Sequence, residues 1–243
     1  MARSSGSKPH FQGGLFQVKI LKVSNWAMSP KNNSIELYHN NPFRLDLKCN
    51  PVVFIGGTHG DEPEGVRLAE ELLRWCEQSP EVNQPWALIP CLNPDGYLAG
   101  TRTNGNGVDL NRNYPAKNWN PTADKERYFP GKSAGCEPEI QALTRLTETV
   151  KPRLFVHFHS WQPMIVVSGP TDLPEAQALA DASGYEIKAD IGYPTSGSLS
   201  QYGWNDQNVP VICIEEQEKV DLETVWPRFR SGFEKIFAMM GTC

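Results

Sequence analysis

Four short apolar runs constrain this chain more than any other feature: residues 52–55, 87–92, 154–158 and 209–214. None alternates apolar with polar residues, as a strand with one wet face does. Near-continuous apolarity calls for burial on both faces, and a sheet gets that when helices cover both of its sides. Helical patterns lie between and after the runs. Residues 64–77 put Val66, Ala69, Leu72, Leu73 and Cys76 on one face, and residues 138–150 do the same with Ile140, Leu143, Leu146 and Val150. Segments 174–183 and 222–240 read as two more helices. The expectation is an α/β fold: a single domain with a central mixed, mostly parallel sheet, helices on both faces and active loops at the strand ends. Residues 1–13 read as a disordered tail and 14–243 as the domain.

Composition narrows the partners. Hydrophobic residues make up 39% and charged residues 21%, enough for a sizeable core, and the net charge of -5 argues against nucleic acid or anionic lipid as the main partner. No run approaches the ~18 apolar residues that a membrane span needs. The N-terminal MARSSGSKPHFQGG has no apolar stretch, so no secretory signal is predicted. The six cysteines are scattered without a CxxC pair, which predicts reduced thiols and a cytoplasmic location.

Two segments about a hundred residues apart point to chemistry. His59-Gly60-Asp61-Glu62 follows the first run, and His157-Phe158-His159-Ser160 ends the third. A His and a Glu from one loop plus a His from a neighbouring strand end make a His2Glu set for zinc, with the fourth position open to water, the mark of a catalytic rather than a structural site. His157 and His159 both qualify as the third ligand, because residues two apart on a strand share a face. Asp61 either orients a ligand or faces solvent. Arg102, Asn111 and Arg112 lie in the Asn-, Gly- and Pro-rich stretch 93–132, too long to be an idle loop; arginine forks and an amide suit a substrate carboxylate. The last run ends in Glu215-Glu216, which point to opposite faces of a strand, so one of the two can serve as general base on a metal-activated water. Residues 193–199 read as a turn-rich pocket wall, and Trp161 as a pocket candidate. Glu126, Glu137 and Glu139 read as surface or helix-start charges.

The stretches GGTHGDEPEG, LNPDGYLAGTRTNGNGVDLNRNYP, FPGKSAGCEPEIQAL, HFHS, and GSL followed by VPVICIEE occur in that order over most of the chain. In them the chain resembles the M14 (carboxypeptidase A) superfamily of zinc carboxypeptidases, and within it the small bacterial murein tripeptide amidases. The resemblance implies one zinc ion held by His59, Glu62 and His159, with His157 behind the ligands. It implies Arg102 at the oxyanion, Asn111 and Arg112 on the substrate carboxylate, and Glu215 as the base. Tyr202 falls near an aromatic position of the amidase branch and is expected to touch substrate. The implied partner is a small peptide with a free carboxylate, cut at the γ-D-glutamyl–meso-diaminopimelate amide in cell-wall recycling. The alternatives are a metallocarboxypeptidase for ordinary peptides and a deacylase of the aspartoacylase or succinylglutamate desuccinylase type. Residues 160–168 are uncharged, so polar partners for diaminopimelate are expected from stretch 93–132 or from Asp190 and Tyr193.

Overall fold

Each of the four apolar runs contributes a strand to one sheet, and neighbouring prolines set where two of them begin or end. The computed structural model describes residues 20–40, 50–79 and 85–239; the expected N-terminal tail, His10, Cys49 and Cys243 lie outside them. In chain order the elements are β1 (Ile20–Met28), β2 (Ser34–Asn40), β3 (Val52–Ile55), α1 (Pro63–Gln78), β4 (Trp86–Ile89), α2 (Pro94–Ala99), α3 (Pro138–Val150), β5 (Leu154–Trp161), β6 (Met164–Ser168), α4 (Pro174–Ser183), β7 (Ile187–Lys188), β8 (Val211–Gln217) and α5 (Val225–Met239). β4 stops before Pro90 and β8 starts after Pro210, since proline has no N–H to give a ladder. β5 and β8 run on past their apolar stretches into polar sequence, so His159 and Glu215 are strand residues, paired in parallel register with each other.

The strand order is β1-β2-β4-β3-β5-β8-β6-β7. The central β4, β3, β5 and β8 are mutually parallel, and antiparallel pairs join β2 to β4 and β6 to β8. Side-chain alternation then divides the core. Phe54, Val156, Phe158, Ile212 and Ile214 pack under α1, α4 and α5, where Phe233 of α5 meets Phe54 and Phe158 edge-on at 6.0 and 5.9 Å. Val53, Ile55, Phe155 and Val211 face α3. By the same alternation His157, His159, Cys213 and Glu215 all emerge on the α3 face.

Helix starts are well marked. Pro63, Pro94, Pro138 and Pro174 each occupy the first turn, where a missing N–H costs nothing. Gly65 lets α1 lie directly on β5: a Cβ there would stand 2.4 Å from the Phe158 carbonyl oxygen. Glu64, in the same turn, is buried and accepts from Ser160 Oγ at 2.7 Å and from the Lys219 N–H at 2.6 Å, tying α1 to the ends of β5 and β8.

Stretch 93–132 is ordered by buried polar groups. Asp95 accepts from Ser29 Oγ at 2.5 Å and Asn33 Nδ2 at 2.7 Å. Glu137 and Glu139 do start α3, but they are not surface charges. Both are buried, and Asn104 Nδ2 donates to them at 2.7 and 3.2 Å while its Oδ1 accepts from the N–H groups of Asn106 and Val108 at 3.0 Å each. Glu126 is exposed, as expected. The described cysteines, Cys76, Cys91, Cys136 and Cys213, are free. Among the described residues no helix is long and apolar enough to cross a membrane.

Candidate active site and metal centre

The segment from β3 to α1 delivers His59 and Glu62, and it can do so only with glycine at position 60. A Cβ there would sit 1.9 Å from the Gly96 carbonyl carbon, so the loop lies flat on α2. His159 comes from β5. Three groups converge: His59 Nδ1 lies 2.8 Å from Glu62 Oε1, His159 Nδ1 lies 2.8 Å from Glu62 Oε2, and the two Nδ1 atoms are 3.0 Å apart. All of these ligand atoms fall within 4.8 Å of one another, and all three residues are buried.

The outward nitrogens suit this cluster to a cation. His59 Nε2 lies 3.0 Å from Asp109 Oδ1, a pure acceptor, so the ring proton sits on Nε2 and the Nδ1 lone pair faces inward. His159 Nε2 lies 2.9 Å from His157 Nδ1. Two imidazole lone pairs and a carboxylate aimed at one point fit zinc in chemistry and in number. Burial disfavours a charged imidazole and holds His159 and His157 low. At His59 burial and Arg102 act the same way, but Glu62 and Asp109 outweigh them and raise it. Burial opposes the charge on Glu62, yet the two imidazoles hold its carboxyl well below the usual range.

Around this centre the structure assembles the remaining residues that the family resemblance assigns to the site, with one exception. A cleft of about 220 Å³ is lined by His59, Glu62, His159, Arg102, Asn111, Arg112 and Glu215, with Trp161 and Tyr193 at its rim. Arg102 donates through Nε to Asp109 at 2.8 Å and through Nη1 to Glu62 at 3.2 Å, and its guanidinium lies 5.2 Å from the Tyr128 ring centre. Arg112 is steadied by a 2.8 Å bond to the Asn111 carbonyl. The Asn111 side-chain oxygen accepts from the Leu199 N–H at 3.0 Å, which leaves the amide N–H2 for the cleft. Glu215 is buried; burial and the neighbouring Glu62 push its carboxyl up to about 8. Glu216 points the other way, to Arg228 and Tyr185. A second cavity, about 450 Å³, adjoins the first and shares Asn111, Tyr193, Thr195 and Glu215 with it.

Tyr202 is the exception. It does not line either cavity: residues 201–206 coil into a helical turn that drives the ring into the core, stacked on Tyr114 at 5.8 Å and only 4% exposed. Tyr193 holds the cleft position instead, its ring 5.9 Å from Trp161. Asp61 is exposed on the cleft wall and pairs with Arg127 at 3.1 Å. Asp109, which holds both His59 and Arg102, has no spacing signature of its own, and neither has Tyr128, whose ring faces Arg102, Arg112 and Arg127.

The chain matches the zinc carboxypeptidase family model over residues 17–213. It is 35% identical over 174 residues to murein peptide amidase A of Escherichia coli K12, spanning 67% of this chain and 69% of that protein. It is 27% identical over 173 residues to γ-D-glutamyl-L-diamino acid endopeptidase 1 of Lysinibacillus sphaericus, spanning 55% of this chain and 41% of that protein. The crystal structure of murein-tripeptide amidase from Escherichia coli O157 superposes with a TM-score of 0.72 at 24% identity, covering 96% of this chain and 98% of that one.

Proposed function

Since the chain belongs to the zinc carboxypeptidase family, we propose that it hydrolyses the amide joining γ-D-glutamate to meso-diaminopimelate in murein tripeptides and releases the diamino acid. The observation that carries this reading is the sharing of one cleft by a carboxylate grip, Asn111 and Arg112, with the His59–Glu62–His159 centre and Glu215. Such a cleft acts on an amide next to a residue with a free α-carboxylate. Two relatives are named for murein peptide or γ-D-glutamyl-diamino acid bonds, which supports the choice of substrate.

Zinc held by His59, Glu62 and His159 would polarise the scissile carbonyl and lower the pKa of its water to about 7. Arg112 and the Asn111 amide hold the leaving residue's α-carboxylate, so the scissile carbonyl is presented to the centre in one orientation. The charge of bound zinc would favour the ionised form of Glu215, which accepts a proton from the attacking water and passes it to the leaving nitrogen as the C–N bond breaks. Arg102 faces the oxygen where negative charge develops; other donors at such positions are worth about 3–4 kcal/mol of barrier. Asp109 keeps the Arg102 guanidinium in place at 2.8 Å and the His59 ring in its working tautomer. The free state of the four described cysteines supports a reducing compartment, the cytoplasm, as the place of work.

The test is mass-spectrometric turnover of L-Ala-γ-D-Glu-meso-diaminopimelate by zinc-loaded protein beside an all-L tripeptide. Release of diaminopimelate from the first alone is the expected result. Cleavage of only the all-L peptide would overturn the substrate assignment and leave a carboxypeptidase for ordinary peptides.

A further inference from the structure

The cavity beyond Glu215 is lined by a histidine ring with one nitrogen that no described residue uses. His157 on β5 is 2% exposed and lines this cavity beside Val166, Ser168, Asp190 and Cys213. Its Nδ1 lies 2.9 Å from His159 Nε2. Its Nε2 is fully buried and has no hydrogen-bond partner among the described residues.

The tautomer follows from the neighbouring ring. His159 turns Nδ1 toward Glu62 and His59. A neutral imidazole that offers its Nδ1 lone pair to a cation carries its proton on Nε2. That N–H donates to His157, so His157 Nδ1 is the acceptor and the neutral His157 ring carries its own proton on Nε2. The unused atom is therefore a donor, on the side of the ring away from His159. Buried donors left unpaired are rare and costly, and they occur where a ligand supplies the missing acceptor.

Building on the proposed substrate, we propose that His157 is a specificity residue whose Nε2–H binds a carboxylate on the side chain of the leaving residue. The rest of the wall fits the same occupant. Ser168 adds a hydroxyl, and Asp190 is the acidic side chain, besides Glu215, that lines the cavity. A donor with a separate acid suits a side chain ending in both a carboxylate and an ammonium group, as in meso-diaminopimelate. Lysine supplies the ammonium group alone and leaves Nε2–H unpaired. Norleucine supplies neither.

The experiment uses four leaving residues, diaminopimelate, α-aminopimelate (carboxylate only), lysine and norleucine, each on a γ-D-glutamyl and on an ordinary α-peptide backbone. Wild-type protein is compared with His157→Phe, and zinc content is measured for both. The expected result is that kcat/KM of the variant falls about 10–100-fold further for the two carboxylate-bearing residues than for lysine and norleucine. An equal fall for all four would overturn the proposal and make His157 a prop for His159. The two backbones separate this inference from the function it rests on: loss of γ-D-glutamyl preference with carboxylate discrimination intact would sink the substrate assignment and spare His157. Calorimetric binding of free diaminopimelate and lysine to wild-type protein needs no variant. At least tenfold tighter binding of diaminopimelate is expected, and equal affinity would overturn the assignment.

Discussion

Glu139→Gln is expected to make the protein more stable at alkaline pH, although Glu139 belongs to the cluster that frames the site loop. Glu139 is 0% exposed, and Asn104 Nδ2 reaches both of its oxygens at 3.2 Å while also serving Glu137 at 2.7 Å. No Lys, Arg or His among the described residues forms an ion pair with it. Burial, opposed by the Asn104 bond, raises its carboxyl from 4.5 to about 7. A carboxyl whose pKa is raised by folding binds more protons in the native state, so stability falls as pH rises between the two values. For pKa values of 4.5 unfolded and about 7 folded, linkage gives a loss of about 2.5 kcal/mol between pH 5 and pH 8. Glutamine cannot ionise and removes that loss. Urea unfolding of both proteins at pH 5, 6, 7 and 8 measures it. The stability difference, variant minus wild type, should rise by about 2–3 kcal/mol across the series. A difference that stays flat with pH would refute the argument, because it would mean that Glu139 is ionised at pH 5 in the native protein.

Three further outcomes follow from the site. Asp109→Asn removes the acceptor for His59 Nε2 and the partner of Arg102; zinc affinity or kcat/KM should drop about 10–100-fold, read by competition with a chelating indicator, and unchanged values would remove Asp109 from the positioning role. Stripping the metal with a chelator should abolish turnover and lower Tm, zinc alone should restore both, and zinc affinity should weaken on acidification because His59 and His159 must be neutral to bind. Gly60→Ala forces the loop off α2 against the 1.9 Å contact and should cost about 1–3 kcal/mol of stability together with zinc affinity; a variant with wild-type Tm and metal content would show that the loop has room to move.

Much of this molecule is written locally. The four central strands, helices α1, α3 and α4 and the His59–Glu62 pair depend on patterns within about fifteen residues, and there the sequence determines the outcome: continuous apolarity needs two covered faces, and a proline forbids a ladder bond. That Glu215 and Glu216 point to opposite faces follows from strand alternation, but which of them meets the site does not. What depends on pairing across the sheet was not legible. β1, β2, β6 and β7 lie toward the sheet's two edges, outside the parallel centre, and none was anticipated from the sequence; β1 stays largely half-buried or exposed and β7 is only two residues long. Tyr202 sits in the core and Tyr193 at the cleft because the turn at 201–206 winds inward, a choice made by packing on Tyr114. Whether His157 or His159 meets Glu62 was open to alternation, since both share a face, and it was decided by which ring lies opposite the β3–α1 loop. Asp109 holds His59 from fifty residues away only because the fold brings the two side chains to 3.0 Å. Sequence determined the elements and the ligand types through short-range sterics and burial. Tertiary structure decided the orientation of each ring and proton, because a hydrogen bond between distant residues exists only once the sheet has set their separation.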